Sequence, residues 1–159
     1  MTDTFWSRFV EFYQRNPRRL RGRKREEAPL CRGVGLLSDD PQENDRLLED
    51  ILSGRRTAII TPLTEWPAGK EIPGAEEFRV LVDSQGQERC VLRSAGAHLV
   101  AFRHVPESLA LREGLDSTLA AWQARTRARL IALSRRHGNP FSLDALLVVE
   151  TFSVAYWEE

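Results

Sequence analysis

The sequence predicts an α+β fold in which a mixed β-barrel of about five to six strands is flanked by helices and preceded by an extra N-terminal helix. Two observations support this prediction. Apolar residues recur at helical spacing in three segments, 5–13, 41–53 and 117–137. From Thr57 onward the pattern changes to short apolar runs typical of strands, and the turn-forming residues 83–86 separate two of these runs. The last run, 146–157, is rich in valine and aromatic residues and is expected to pair centrally.

The N-terminal region is predicted to form a helix followed by a basic connection. Phe5, Phe9 and Phe12 recur at helical spacing, which predicts an amphipathic helix that ends before Asn16-Pro17. Residues 17–28 are polar and rich in arginine, and we interpret them as a poorly ordered basic arm. Residues 1–28 are therefore set apart from a main domain predicted at 29–159.

The second helix has distinct start and stop signals. Asp40 is suited to the N-cap, Pro41 to the first helical position, and Glu43 completes a capping-box pattern. Gly54 is expected to end this helix. The remaining elements follow in chain order: a buried strand at 58–60, a long loop, a hairpin of strands at 78–82 and 88–92, a strand at 97–101, a short helix at 106–112, a long helix at 117–137 and the closing strand.

Composition and charge limit the classes of protein to which the chain can belong. Its 159 residues, 42% of them hydrophobic, suit one domain with a substantial core, and the sequence shows neither a membrane span nor a secretory signal. We therefore expect a cytoplasmic protein. The net charge of zero argues against coating of nucleic acid by bulk charge, and no DNA-specific motif is recognised. Cys31 and Cys90 are isolated and the three histidines are scattered, so we expect no disulfide framework and no preformed metal site.

The junction between the second helix and the first apolar strand, Gly54-Arg55-Arg56-Thr57, is the main candidate for a ligand site. It places two guanidinium groups at the start of a strand, and guanidinium is a permanently charged, multi-donor group suited to phosphate or carbonyl oxygen. The alternative is an ordinary helix end whose cations complement the helix dipole. On the long helix, Arg125, Arg129 and Arg136 border the apolar face, where they either line a groove or cover apolar surface with their stems.

Several segments together resemble the ASCH domain family, small relatives of the PUA-like barrels. The resemblance covers most of the chain, and the order of its pieces carries it more than any single piece. The pieces are the helix end and strand start at 52–58, the hairpin turn at 82–86, the segment 102–105, Glu113-Gly114 followed by Leu119 and Trp122, and Glu150-Thr151-Phe152 in the closing strand.

The resemblance implies a cleft that handles RNA or a modified nucleoside. One branch of the family hydrolyses the acetyl amide of acetylcytidine with a lysine, a threonine three residues later and a distant glutamate. These positions fall here on Arg56, Ile59 and Glu113, so only the glutamate is retained. Arginine stays charged and cannot act as the base, and isoleucine has no nucleophilic atom. Thr57 is the nearest hydroxyl that could substitute, and whether the chain is an enzyme stays open.

The leading hypothesis is an RNA- or nucleotide-binding module whose partner is single-stranded RNA, a nucleoside or a nucleotide. Glu113 acts either as a general base or base-edge acceptor, or only as the ion-pair partner of an arginine. Trp66, in the long loop, either stacks on a base or packs down as a lid. The candidate ligand-binding residues are Arg55, Arg56, Thr57, Trp66, Lys70, Glu113 and Arg125, and the candidate catalytic residues are Glu113 and Thr57.

Two alternatives belong to other functional classes. The first is a hydrolase, acting either on an acetylcytidine-type amide or as a metal-assisted ribonuclease; only the ribonuclease would need a cofactor, a divalent metal. The second is a protein-interaction module in which the cleft is vestigial and the basic arm contacts a protein partner or an anionic surface.

Overall fold

The computed structural model describes residues 3–16 and 29–159. The described residues form four α-helices and five β-strands, with three short 3₁₀ turns between them. The helices are α1 (Phe5–Arg15), α2 (Pro41–Leu52), α3 (Glu107–Ala110) and α4 (Leu119–His137). The strands are β1 (Leu30–Gly35), β2 (Ala58–Pro62), β3 (Ala75–Val82), β4 (Glu88–Ala101) and β5 (Leu146–Trp157).

The five strands form one mixed sheet in the order β1-β3-β4-β5-β2. β1 runs parallel to β3, and the other neighbours are antiparallel. The α+β class, the flanking helices, the strand number and the central position of β5 are confirmed. Among the described residues the sheet does not close into a barrel, because β1 and β2 lie at opposite edges and do not pair. β1 was not predicted, and the basic arm at 17–28 lies outside the described residues.

Helices α1 and α2 cover opposite faces of the sheet. Val80 packs in a cluster with Phe5, Phe9 and Tyr13 of α1, whereas the next residue, Leu81, packs in a cluster with Leu48 and Ile51 of α2. Successive side chains of a strand point to opposite faces, so the two helices sandwich β3. A third cluster joins Trp122 and Leu130 of α4 to the β2 and β5 end of the sheet.

The capping signals of α2 are only partly realised. Asp40 is the N-cap, and its side chain accepts a hydrogen bond from the Glu43 backbone N–H at 2.9 Å. The reciprocal half of the predicted capping box is wrong. The Glu43 carboxylate accepts from the Ser38 hydroxyl at 3.0 Å, and the Asp40 N–H donates to the same hydroxyl at 3.2 Å. The Ser38 hydroxyl, and not the Glu43 carboxylate, therefore accepts the hydrogen bond from the Asp40 backbone N–H.

The remaining predictions are close to the observed elements. β3 and β4 form the predicted hairpin, and the strand predicted at 97–101 is the second half of one long β4. The predicted short helix is α3 followed by a 3₁₀ turn at Leu111–Glu113. No helix in the described ranges is both long and apolar enough to cross a membrane.

Candidate functional site

The predicted junction is folded around Arg56. Gly54, with a φ of 80°, follows the end of α2, and the Arg56 N–H donates to the Asp50 carbonyl at 3.0 Å, which turns the chain into β2. The Arg56 side chain is buried, and its Nη2 lies 3.7 Å from Oε2 of Glu113. Its Nη1 has no hydrogen-bond partner among the described residues. The Arg56 side chain is therefore largely buried, and together with Gly54 and Thr57 it lines a cavity of about 250 Å³.

Glu113 is the centre of this buried network. It ends the 3₁₀ turn that follows α3, and its Oε1 accepts from the Trp122 indole at 2.7 Å and from Nη2 of Arg125 at 3.1 Å. Arg125 also donates to Asp116 at 2.8 and 3.0 Å. We call Arg56, Glu113, Asp116, Trp122 and Arg125 the junction network. It connects the start of β2 to α4 through one carboxylate.

Burial and neighbouring charge act differently on the two arginines of the junction network. Burial lowers the pKa of Arg56, and the charge of Glu113 opposes this shift without cancelling it. Burial also acts against the charge of Arg125, but hydrogen bonds and charges from Asp116 and Glu113 outweigh it and raise the pKa of Arg125. The charge of Arg125 is therefore balanced by two carboxylates, Glu113 and Asp116. Among the described residues, Arg56 has only the Glu113 carboxylate within ion-pair distance.

Three other candidate residues lie beside the junction network or away from it. Arg55 is exposed and pairs with Asp50 at 3.2 Å. The Thr57 hydroxyl accepts from Nε of Arg112 at 2.9 Å, so its oxygen is already engaged. Trp66 lies in the long loop, where its indole donates to the Lys70 carbonyl at 2.9 Å and the Lys70 ammonium lies 4.9 Å from its ring centre.

Gly114 allows Glu113 to reach the junction. Its φ is 75°, and a Cβ at this position would lie 2.5 Å from the carbonyl oxygen of Arg55. We expect Gly114→Ala to lower the free energy of unfolding by at least about 2 kcal/mol, from left-handed strain and from the clash. The matched control is Gly138→Ala, where φ is 73° but a Cβ meets nothing within 4 Å. Chemical denaturation of both variants measures the difference, and equal losses would show that the close approach to Arg55 has no cost.

A cavity larger than the one at the junction lies on the face of the sheet that α2 covers. We call it the sheet cavity; it has a volume of about 430 Å³. β1, the loop at 70–73 and the adjoining face of β3 form its walls, and Lys70 is the one candidate residue that lines it. Its apolar lining includes Val34, Leu36, Leu37, Ile72 and Pro73.

Arg79 and Glu150 lie on the floor of the sheet cavity. Arg79 of β3 reaches across β4 and donates to Oε1 of Glu150 on β5. Glu150 is only 3% exposed, and its Oε2 has no hydrogen-bond partner in the described part of the chain. At the rim, Arg32 pairs with Glu77 at 3.0 Å. The cavity thus combines apolar walls with three cations, Arg32, Lys70 and Arg79, and three carboxylates, Glu71, Glu77 and the buried Glu150.

The sequence interpretation missed Arg79, Glu150 and Arg32. One signal was available: Glu150 is the only charged residue within the apolar run 145–152 of a strand predicted to be central, and such a residue is rarely buried without a partner or a role. The position of Arg32 had no such signal, because it depends on β1, which was not predicted. No group of three His, Cys, Asp or Glu side chains suited to a metal ion occurs within the described ranges.

The open mixed sheet, with helices on both faces and a cavity beside it, defines an α+β domain. The family model for the ASCH domain matches residues 34–156, and the chain therefore belongs to the ASCH domain family. The resemblance found in the sequence is confirmed.

Two solved structures are similar over nearly the whole chain. The crystal structure of an ASCH domain from Lactobacillus crispatus JV V101 has 23% sequence identity and a TM-score of 0.69, covering 94% of this chain and 93% of that chain. A protein from Enterococcus faecalis V583 has 25% identity and a TM-score of 0.62, covering 93% of each chain. No curated protein gives a significant match.

Proposed function

We propose that this ASCH domain binds single-stranded RNA or a nucleotide in the sheet cavity. The observation that carries the proposal is the pair on the cavity floor, where Arg79 is fixed by the buried carboxylate of Glu150. A guanidinium held by a carboxylate presents its remaining donors in a fixed direction, at a low entropic cost of binding. Apolar walls around a few fixed polar groups are the usual composition of a small-ligand site.

The two parts of a nucleotide suit the two parts of the sheet cavity. A base can pack against the apolar walls, where Leu36, Leu37 and Ile72 provide contact area. A phosphate can be held at the rim, where Arg32 and Lys70 are exposed cations. Lys70 is placed by its contact with Trp66, so Trp66 supports the site without lining it.

The junction network has a structural role in this proposal. Arg56 is buried beside Glu113, and Oε1 of Glu113 accepts from Trp122 and Arg125. A phosphate at Arg56 would bring negative charge close to the buried Glu113 carboxylate, which lies 3.7 Å from Nη2 of Arg56. We also expect no turnover of acetylcytidine, because Arg56 remains charged, Ile59 has no nucleophilic atom and the Thr57 hydroxyl is engaged with Arg112.

We expect Arg32→Ala to weaken binding of a short, labelled, mixed-sequence single-stranded RNA by about three- to tenfold, because a phosphate contact is lost and Glu77 is left without its cation. Fluorescence anisotropy at low and moderate salt measures the change. The number of phosphate contacts obtained from the salt dependence of binding should also fall by about one. Arg46→Ala is the matched control, since Arg46 is similarly exposed (56% against 49%), pairs with Asp50 and lies outside the sheet cavity.

Equal weakening by Arg32→Ala and Arg46→Ala would contradict a site in the sheet cavity and indicate diffuse charge. Absence of RNA binding by the wild type would contradict single-stranded RNA as the ligand and leave a nucleotide to be tested.

A further inference from the structure

We infer that Glu150 determines which base the sheet cavity accepts, and that it selects a base carrying an exocyclic amine over uracil. This inference rests on the proposed function and adds a specificity-determining residue to it. It starts from one atom, Oε2 of Glu150, which is buried and lacks a hydrogen-bond partner in the parts of the chain that the structure describes.

The side chains opposite Glu150 in the sheet provide no hydrogen-bond donor for its Oε2. Glu150 lies opposite Ile59 on β2 and opposite Ala97 on β4, and neither side chain can donate a hydrogen bond. Arg79 uses the other carboxylate oxygen, Oε1. A buried carboxylate oxygen without a donor is unfavourable, and a ligand in the adjoining cavity can supply that donor.

The backbone is irregular at two places beside the sheet cavity. The pairing of β3 with β4 shifts register between Ala75 and Phe78, and Glu76 within this bulge has a φ of 64°. The pairing of β4 with β5 shifts between Ser94 and Gly96, and Ser94 lines the cavity. Bulges and a left-handed non-glycine residue cluster at functional sites more often than elsewhere in a sheet. Their position here supports a ligand site.

The hydrogen-bonding groups of the Arg79–Glu150 pair predict which donors and acceptors a bound base must present. An ionised carboxylate only accepts hydrogen bonds and a guanidinium only donates them. Cytosine and adenine each present an amine donor next to a ring-nitrogen acceptor, which matches Glu150 beside Arg79, and glutamate is a known acceptor for the cytosine amine. In uracil the ring N–H stands between two carbonyl oxygens, so pairing it with Glu150 brings a carbonyl oxygen against the carboxylate. Amine-bearing bases are therefore favoured.

The test compares cytidine monophosphate (CMP) with uridine monophosphate (UMP), which differ in the base edge alone. We expect the wild type to bind CMP about tenfold more tightly than UMP in isothermal titration calorimetry. Glu150→Gln is expected to remove or reverse this preference. The glutamine carbonyl can still accept from Arg79, while its amide group turns the free acceptor into a donor suited to a uracil carbonyl. Glu107→Gln, at an exposed position of α3 outside the cavity, is the control and should keep the wild-type ratio.

The outcomes distinguish a failure of the role of Glu150 from a failure of the proposed function. Equal affinity of the wild type for CMP and UMP would overturn the role of Glu150 while leaving nucleotide binding intact. A CMP preference that persists in folded Glu150→Gln would overturn it as well. Binding of neither nucleotide, together with no binding of single-stranded RNA, would overturn the proposed function itself. Thermal unfolding of Glu150→Gln checks its fold, and the wild-type ratio tests the inference even if that variant is unstable.

Discussion

Glu113→Ala is expected to lower the free energy of unfolding by about 3–5 kcal/mol, because it leaves Arg56 buried without its carboxylate. The same change removes the acceptor of the Trp122 indole and one acceptor of Arg125. Arg125 keeps Asp116 and can stay charged at little cost, whereas Arg56 has no second carboxylate within ion-pair distance among the described residues. The loss should therefore arise mainly at Arg56. Urea denaturation followed by tryptophan fluorescence measures it.

Glu65→Ala is a closely matched control for this prediction. Glu65 also ends a 3₁₀ turn and also pairs with an arginine of α4, Arg129, but its side chain is 32% exposed against 5% for Glu113. We expect its loss to be below about 1 kcal/mol, as for other exposed ion pairs. If Glu113→Ala kept the wild-type stability and abolished RNA binding, Glu113 would be a ligand contact and not the centre of a structural network.

Phe9→Ala is expected to cost about 3–5 kcal/mol of unfolding free energy, because it empties the centre of the contact between α1 and the sheet. Phe9 is fully buried, and its ring centre lies 5.4 Å from that of Phe78 and 5.9 Å from that of Tyr156. Phe12→Ala, the same substitution at a half-buried position of the same helix, should cost clearly less. Chemical denaturation of the two variants measures both losses of unfolding free energy.

The Phe9 result also tests the predicted division of the chain at residue 28. If residues 29–159 form a unit that does not need α1, Phe9→Ala will cost less than about 1 kcal/mol. The packing favours the opposite result, since Phe5, Phe9 and Tyr13 share one cluster with Phe78, Val80 and Val91 of the sheet. We therefore expect α1 to unfold together with the domain.

The elements predicted from the sequence were those whose signals are local. The faces of α1 and α4 follow from helical spacing, and the β3–β4 hairpin follows from its turn residues. β1 has no such signal, because nearly all of its residues are exposed and two of its six are glycine. It forms through parallel pairing with β3, some 45 residues away, as in the pairing of Leu30 with Glu77. Local patterns could not reveal that pairing or the open edges of the sheet.

The candidate site could be predicted only in part, because local sequence patterns do not show which distant segments come together. The sequence singled out Arg56, Glu113 and Arg125 as candidate ligand-binding residues, and the fold brings the three together in one network. It could not show that Arg56 is buried, because the burial is produced by the packing of α4 and the 3₁₀ turn against β2. The sheet cavity is lined by residues 32–37, 70–73 and 77–81 together with Ser94 and Glu150, and Lys70 is the one candidate residue among them.

Binding in the sheet cavity is tested by locating a bound nucleotide by NMR, through titration of isotope-labelled protein with CMP and assignment of the shifted backbone amides. We expect the largest shifts in the sheet cavity, at Gly33, Gly35, Arg79 and Ser94. Shifts concentrated at 54–57 instead would place the ligand at the junction network and contradict binding in the sheet cavity.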